Sequence, residues 1–252
     1  MSGSLTSSEL RLLALPGLPI ITPGADLAGL LMDSARRAGL SFTSTDVLVL
    51  ASKIISRAED RFVVLRDIDP TPEAIGLAAL TGKDPRLVTL VLRESVAVSR
   101  ATAGVLLVRH RLGITGAMAG IDASNVAGDD ETVLLWPEDP DASAAALSAK
   151  LGCAVIIADS LGRPFRLGTV AIALGAASVP VLWDQKGDRD LFGRPLMHTV
   201  TAVADQIAAA AELLMGQAAE GQPAVLLRGL GFEPSRVTAA ALIRPLAEDL
   251  YA

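Results

Sequence analysis

Two aspartates, Asp122 and Asp159, are the residues of this chain best suited to chemistry. Asp122 lies in segment 120–126 (GIDASNV) and Asp159 in segment 156–164 (IIADSLGRP). Each ends or directly follows an apolar, strand-like run, and small hydroxyl or amide residues and a turn come next. Carboxylates at strand ends can aim their oxygens into one cleft, where hard oxygen ligands suit Mg²⁺ or Mn²⁺. The pair therefore predicts a divalent-cation site for a nucleoside triphosphate, although either aspartate alone could equally cap its own turn.

Amide and cationic side chains extend this prediction. Asn125 belongs to the same motif as Asp122 and can donate to a phosphate oxygen while Asp122 holds the cation. Lys53 and Arg57 follow the apolar segment 46–51 (DVLVLA), where a positive charge can meet phosphate. The alternative for Lys53 is the usual fate of lysine, a solvated side chain at the surface.

Two arginines and two loops complete the candidate site. Arg163 and Arg166 closely follow the second aspartate, and arginine suits carboxylate or phosphate oxygens; the alternative is a pair of surface ion pairs. The turn 16–19 (PGLP) offers backbone amides. Segment 215–222 (MGQAAEGQ) follows a long predicted helix, and it either wraps a nucleotide or simply ends the helix at Gly216.

Composition argues against several classes of function. The formal net charge of −6 disfavours nucleic acid as a partner, because phosphate backbones require a basic face. The single cysteine, Cys153, precludes an internal disulfide and is interpreted as a small buried residue, which fits a reducing cytoplasm. His110 and His198 are too few for a histidine metal site and are interpreted as structural or surface residues.

Missing sequence patterns narrow the choice further. The chain has no glycine-rich phosphate loop ending in Lys-Ser/Thr, no dinucleotide fingerprint and no nucleophile elbow. It has no basic-plus-apolar leader and no uninterrupted apolar run long enough for a membrane span. We therefore expect a cytoplasmic protein that does not contact membranes.

The elements that must position these residues follow from hydrophobic periodicity. The helix starting at 26 is expected to be capped by Asp26. Strands are predicted over 12–21 (broken by turns), 46–51, 62–66, 96–101, 105–110, 133–135, 154–158 and 224–228, with further apolar segments at 170–175 and 179–183. Helices are predicted over 26–38, 72–80, 85–93, 140–151, 199–215 and 237–249.

The order of these elements predicts the fold class. Strands and helices do not alternate strictly, which favours an α+β fold with mixed, mostly antiparallel sheets over a doubly wound parallel sheet. The serine-rich start predicts a disordered tail over 1–11. Residues 12–252 are expected to form one domain, with an alternative division into two lobes near the strand pair 96–111.

A set of motifs, in order along the chain, resembles the coenzyme F420-0:L-glutamate ligase family. The resemblance covers about residues 12–232, and the Ala-Gly-Ile-Asp-Ala-Ser-Asn and Asp-Ser-x-Gly-Arg motifs are specific in combination. The motifs are 15–19 (LPGLP), Ser52-Lys53, 81–85 (TGKDP), 119–126 (AGIDASNV), 137–141 (PEDPD), 159–166 (DSLGRPFR), 190–194 (DLFGR), Met215-Gly216 and 228–230 (RGL).

The resemblance implies a family-specific α+β fold, a homodimer, and the use of GTP, two divalent cations (Mn²⁺ or Mg²⁺) and K⁺. Asp122 and Asp159 would hold one cation, and Ser160 and Gln217 would lie at the second. The expected catalytic residues are the basic side chains Lys53, Arg57, Arg163 and Arg166. The expected nucleotide-binding residues are Pro16, Gly17, Leu18, Pro19, Ser52, Lys53, Arg57, Asn125, Met215, Gly216 and Gln217.

The implied activity is GTP-dependent formation of an amide between L-glutamate and the carboxylate of coenzyme F420-0, through an acyl phosphate. Further rounds would add γ-linked glutamate. One alternative is a ligase of the same fold that acts on another carboxylate, because the stretch 167–171 is less polar than in many relatives. The other is a non-catalytic GTP-binding homologue, because the neutral amide of Gln217 is a modest cation ligand.

Overall fold

The structure, a computed structural model, describes residues 7–126 and 129–249, and the expected tail therefore lies largely outside the described residues. The strands are β1 (Arg11–Ala14), β2 (Val47–Ala51), β3 (Phe62–Val64), β4 (Ser95–Thr102), β5 (Val105–His110), β6 (Thr115–Ala117), β7 (Thr132–Leu134), β8 (Ala154–Gly162), β9 (Thr169–Ala177), β10 (Trp183–Asp184), β11 (Val200–Thr201) and β12 (Ala224–Arg228). The α-helices are α1 (Leu27–Arg37), α2 (Ser52–Ala58), α3 (Pro72–Thr81), α4 (Pro85–Arg93), α5 (Pro140–Leu151) and α6 (Val203–Met215).

A five-stranded sheet in the order β1-β12-β2-β8-β9 is the centre of the fold. β2 and β8 pair in parallel, and the other neighbours in this sheet are antiparallel. Side chains of a strand alternate between its two faces, so both faces of these apolar strands are covered. Leu48 and Leu50 of β2 pack with α1 and α5 on one face, whereas Val47 and Val49 pack with α6 on the other.

The remaining strands form smaller antiparallel sheets beside the central one. β4, β5 and β6 form a three-stranded sheet, and β3 pairs with β7. Val88 and Val91 of α4 pack with Leu106 and Val108 of β5, so α4 covers the three-stranded sheet through its own small core. The mixed, mostly antiparallel α+β architecture predicted from the sequence is confirmed.

Several predicted elements match the structure closely. Helices over 85–93 and 140–151 and the strand over 224–228 have the predicted bounds. Helix α5 begins at Pro140, and the Asp139 side chain accepts a hydrogen bond from Ala142 N, which satisfies a free amide of its first turn. Asp26 does stand immediately before α1, but its side chain makes no capping hydrogen bond, so that part of the prediction is wrong.

The predicted C-terminal helix over 237–249 is wrong. That segment forms two short 3₁₀ turns, Ala239–Leu242 and Leu246–Glu248, on either side of Pro245. Proline lacks the amide hydrogen that a continuous helix would need. The amides of Ala239 and Ala240 donate instead to the carboxylate of Asp141, a tertiary contact that periodicity cannot reveal.

Two further boundaries differ because of strand pairing. The helix predicted from 199 begins only at Val203, since Val200 and Thr201 pair with β10. β8 does not end at Ala158 but continues to Gly162, paired with β9 along its length. Asp159 therefore lies inside a strand and not at its end as predicted. Among the described residues, no helix is both long and apolar enough to span a membrane.

Candidate active site

A cleft of about 990 Å³ opens where β2 ends and α2 begins, beside the outer half of β8. This volume lies within the range typical of small-molecule sites, roughly 300–1,000 Å³. Segments far apart in the sequence form its walls: 18–21, 51–54, 120–122, 124–126, 158–162 and 215–223, together with Arg57, Ala117, Thr169, Ala171 and Glu212.

Asp122 lies on one wall, with its backbone fixed by the neighbouring strand β7. Its N–H donates to Leu134 O at 2.9 Å, and its own carbonyl accepts from Leu134 N at 2.8 Å. Lys53 Nζ lies 3.4 Å from Asp122 Oδ2 and donates to the Ser124 carbonyl at 3.0 Å. Burial raises the pKa of Asp122, and the charge of Lys53 opposes that rise. The predicted carboxylate and lysine thus meet in the cleft.

Asp159 reaches the same cleft from β8 and is held by two donors. Trp136 Nε1 donates to its Oδ2, and Ser160 N donates to its Oδ1 at 2.9 Å. The pKa of Asp159 is raised to about 7, first because the carboxyl is buried and second because the charge of Asp122 opposes its ionisation. The two aspartates predicted to share a site therefore interact electrostatically.

Trp136 is a residue that the sequence analysis missed. Its side chain is 2% exposed, and its ring packs edge-on against His110, with ring centroids 4.9 Å apart. Gly120 leaves room for it, because a Cβ at that position would lie 2.0 Å from Trp136 Cε2. One signal was available: a buried tryptophan needs an acceptor for its N–H, and this chain has only two tryptophans.

Ser160 and Gln217, the residues expected at a second cation, lie side by side. Gln217 Nε2 donates to Ser160 Oγ at 2.7 Å. Both also contact Glu212 of α6, which the sequence analysis missed: Ser160 Oγ donates to Glu212 Oε1, and Gln217 Nε2 donates to the same oxygen at 2.5 Å. A usable signal for Glu212 was its place in the last turn of a predicted helix, where the helix dipole disfavours an acid.

Arg57 and Asn125 connect separate walls of the cleft. Arg57 Nε donates to the Ile21 carbonyl at 2.7 Å, and Nη1 donates to the Val126 carbonyl at 2.8 Å. Asn125 Nδ2 donates to the Ala218 carbonyl at 3.2 Å. Both residues line the cleft as predicted, and their hydrogen bonds bring the loops of three sequence regions together.

The other predicted nucleotide-binding residues divide between the cleft and the layer behind it. Ser52, Leu18, Pro19 and the residues Met215, Gly216 and Gln217 line the cleft. Pro16 and Gly17 lie behind it, where their carbonyls accept hydrogen bonds from α1: Ser34 Oγ to Pro16 O at 2.6 Å and Arg37 Nη2 to Gly17 O at 3.0 Å. They anchor the turn and do not line the cleft.

Arg163 and Arg166 are not brought into the cleft. They lie in the turn between β8 and β9, where Arg163 Nη2 donates to the Leu167 carbonyl at 2.9 Å and the Arg166 side chain is exposed. The turn falls there because β8 continues past Asp159, which carries its tip beyond the cleft wall. The two arginines that follow Asp159 in sequence therefore do not line the cleft, although Gly162, just before Arg163, does.

The donor set fits a divalent cation that also binds a phosphorylated ligand. Two carboxylates of like charge share the cleft, and their mutual repulsion would be relieved by a cation between them. The described residues contain no group of three or more His, Cys, Asp or Glu side chains placed to hold an ion. A Mg²⁺ or Mn²⁺ ion bound here would therefore take further oxygens from phosphate and water, as Mg²⁺ usually does.

Fold and cleft together define an α+β protein with an acidic, lysine-bearing site suited to metal-bound phosphate. The model of the F420-0:Gamma-glutamyl ligase family matches residues 17–229. A protein of Methanothermobacter thermautotrophicus named coenzyme F420:L-glutamate ligase is 41% identical over 250 residues, covering 96% of this chain and 98% of its own. A protein of the same name from Methanopyrus kandleri is 44% identical over 241 residues, covering 92% and 93%. The chain belongs to the F420-0:gamma-glutamyl ligase family.

Proposed function

We propose that this protein is a GTP-dependent ligase that joins L-glutamate to the carboxylate of coenzyme F420-0 and then adds γ-linked glutamate. Membership of the family and the names of its relatives support the substrates. The observation that carries the proposal is that Asp122, Asp159 and Lys53 meet in one nucleotide-sized cleft.

The proposed reaction has two steps. A carboxylate oxygen of the acceptor attacks the γ-phosphorus of GTP, the bond to the β–γ bridging oxygen breaks, and GDP leaves an acyl phosphate behind. The amino group of glutamate then attacks the acyl carbon, the carbon–oxygen bond breaks, phosphate leaves, and the amine gives up a proton. No side-chain nucleophile is needed, because phosphate is itself a good leaving group.

Each residue of the cleft has a task in this scheme. Asp122 and Asp159 would hold one Mn²⁺ or Mg²⁺, and Ser160 and Gln217 would bind a second. The cations would neutralise phosphate charge, with K⁺ as a helper. Lys53, now 3.4 Å from Asp122, can turn to a phosphate oxygen, and Arg57 and Asn125 hold the loops that enclose the nucleotide. We further propose that the protein acts as a homodimer in the cytoplasm.

Mass spectrometry of the product tests the proposal. Purified protein supplied with GTP, Mn²⁺, L-glutamate and the unglutamylated coenzyme should yield a product heavier by one glutamyl unit. Asp122→Asn should abolish product while the circular dichroism spectrum stays unchanged, because the substitution removes the charge but keeps the shape. Full activity in both Asp122→Asn and Asp159→Asn would show that the site is elsewhere.

A ligase of the same fold that acts on another carboxylate is the second candidate. The observation in its favour is that the cleft wall near Ser160 includes Thr169 and the buried Ala171, neither of which carries a charge that could select one acceptor. A panel of carboxylic acids, assayed for GTP-dependent phosphate release in the presence of glutamate, separates the two. Tight GTP binding without phosphate release from any acid would indicate a non-catalytic homologue instead.

A further inference from the structure

Glu212 links three parts of the cleft wall through one carboxylate. Its Oε2 accepts a hydrogen bond from Ala171 N of β9 at 2.8 Å. Its Oε1 accepts from Ser160 Oγ of β8 and from Gln217 Nε2 of the loop that follows α6. The side chain therefore contacts both residues that would hold the second cation.

These contacts determine which atoms Ser160 and Gln217 present to the cleft. A carboxylate only accepts hydrogen bonds, so the end of the Gln217 amide that lies 2.5 Å from Glu212 Oε1 must be its NH₂ group. The amide oxygen, the only cation-binding atom of that side chain, is left uncommitted. In the same way, the Ser160 hydroxyl gives its proton to Glu212 and accepts from Gln217 Nε2, which leaves one lone pair for another partner.

The carboxylate of Glu212 accepts three hydrogen bonds but has no basic partner in the described part of the chain. It occupies the last turn of α6, where the helix dipole disfavours negative charge and where no basic side chain is present. The ion pairs formed within residues 7–126 and 129–249 do not include Glu212. A hydroxyl and an amide are both neutral, so Glu212 is the charged member of this hydrogen-bonded group of three side chains.

We propose that Glu212 is a positioning residue for the second divalent cation: it orients Ser160 and Gln217 toward the ion and supplies its countercharge. The inference rests on the proposed function, which brings metal-bound GTP into this cleft. It adds a carboxylate to a site whose two expected ligands carry no charge. Removal of that charge should therefore lower the affinity for the second ion and leave the ion at Asp122 and Asp159 bound.

Direct binding of Mn²⁺ tests the proposal without any turnover. Electron paramagnetic resonance of free Mn²⁺ is recorded with a non-hydrolysable GTP analogue bound, for the unmodified protein and for Glu212→Gln. Unmodified protein should bind two ions per chain. In Glu212→Gln the affinity for the weaker ion should fall by about tenfold or more, because interactions with a charged group are stronger than those with a neutral one. The tighter ion should change little.

Asp205→Asn is the matched control. Asp205 lies on the same helix and also accepts a backbone hydrogen bond from β9, from Ala173 N at 2.9 Å, but it does not line the cleft. The Asp205→Asn protein should bind both ions with the same affinities as the unmodified protein. A charge exchange provides a second readout: in the double variant Glu212→Gln with Gln217→Glu the carboxylate moves to position 217, and the affinity for the second ion should return.

The outcomes separate the inference from the proposed function. Equal affinity for both ions in Glu212→Gln, Asp205→Asn and unmodified protein would overturn the positioning role but leave the ligase proposal standing. Loss of the second ion that the charge exchange does not restore would also overturn it, because a role in packing alone would give that result. Unmodified protein that binds no Mn²⁺ with the nucleotide analogue would refute both.

Discussion

At the scale of single residues, the site depends on how each carboxylate is held as well as on its charge. The carboxylate of Asp159 accepts hydrogen bonds from the Trp136 indole and the Ser160 amide, so the direction of both its oxygens is restricted. Asp122 is restrained through its backbone and by Lys53. Replacing a residue that orients a metal ligand in this way commonly weakens metal binding.

Trp136→Phe should weaken binding of the cation proposed at Asp122 and Asp159, while keeping an aromatic ring in the core. The variant removes the N–H that lowers the pKa of Asp159, so the pKa of that carboxyl should rise further and the metal-binding carboxylate form should become scarcer at neutral pH. We expect a rise of roughly tenfold in the Mn²⁺ concentration needed for half-maximal rate.

Trp183→Phe is the control for that experiment, because Trp183 packs on the other face of the sheet near α6 and does not line the cleft. Its Mn²⁺ dependence should match that of the unmodified protein. A Trp136→Phe protein with unchanged Mn²⁺ dependence would show that the indole hydrogen bond has no part in holding Asp159.

At the scale of elements, the short turn at Met118–Gly120 connects the three-stranded sheet to the Asp122 motif. Gly120 has a φ of +65°, a conformation that favours glycine, and it lies against the Trp136 ring. The turn and the tryptophan thus determine together where the following aspartate is placed.

Gly120→Ala should destabilise the fold more than a positive φ alone explains. The left-handed conformation costs a non-glycine residue about 1–2 kcal/mol, and the added Cβ would also lie 2.0 Å from the indole. Gly39→Ala isolates the first cost, since Gly39 has a φ of +68° with no neighbouring atom within 4 Å of the added Cβ.

Urea unfolding of the two variants measures the difference. Gly120→Ala should lose clearly more free energy of unfolding than Gly39→Ala, because the indole must move. Equal losses for the two variants would mean that Trp136 yields to the methyl group at no cost.

The elements also show what the sequence could predict and where it failed. Apolar periodicity located the core strands and helices α4 and α5, because their burial is a local property of the pattern. It placed the end of β8 too early, since Asp159 and Ser160 interrupt the apolar run while the strand continues through pairing with β9. It also predicted a helix over 237–249, where contacts with Asp141 decide the path.

Local sequence patterns also predicted only part of the candidate site. Motifs placed Asp122, Asp159, Lys53 and Asn125 in a common cleft, because type and spacing carry that information. Closeness in sequence suggested Arg163 as well, but its side chain donates to the Leu167 carbonyl in the turn and does not line the cleft. Trp136 and Glu212 contact the site from distant segments. Their residue types and positions hinted that each needs a polar partner, but no local pattern identifies Asp159 or Ser160 as that partner.

At the scale of the whole molecule, a half-buried ionic cluster joins the ends of α4 and β5 to Arg61, the residue just before β3. Glu94 lies 3.5 Å from His110 Nε2 and 3.2 Å from both Arg61 Nη2 and Arg111 Nε. His110 and these arginines lower the pKa of Glu94 to about 2. Since His110 also packs against Trp136, the cluster supports the wall of the cleft.

Acid should therefore destabilise the protein through Glu94. Its pKa is lowered on folding from its usual value of 4.5 to about 2, so its stabilising contribution is complete above about pH 4.5 and is lost as the pH falls toward 2. The shift corresponds to about 3 kcal/mol.

Free energies of unfolding across this pH range check that expectation. The difference between the unmodified protein and Glu94→Gln should be largest near neutral pH and shrink below about pH 4, where the glutamate also becomes neutral. Glu9→Gln is a suitable control, because Glu9 is exposed in an ion pair at the chain start and should show no such trend. A pH-independent difference for Glu94→Gln would contradict the assignment.

The hydrogen bond from Asn125 to Ala218 closes the cleft between residues that are 93 positions apart in the chain. Segment 215–223 is the last of the cleft-forming segments to leave the ribosome, whereas Lys53 emerges early. A nascent chain can thus form β2 and α2 long before it can enclose a nucleotide. The nucleotide proposed for this cleft therefore cannot serve as a template for the early stages of folding, and its binding should report that synthesis has passed residue 223.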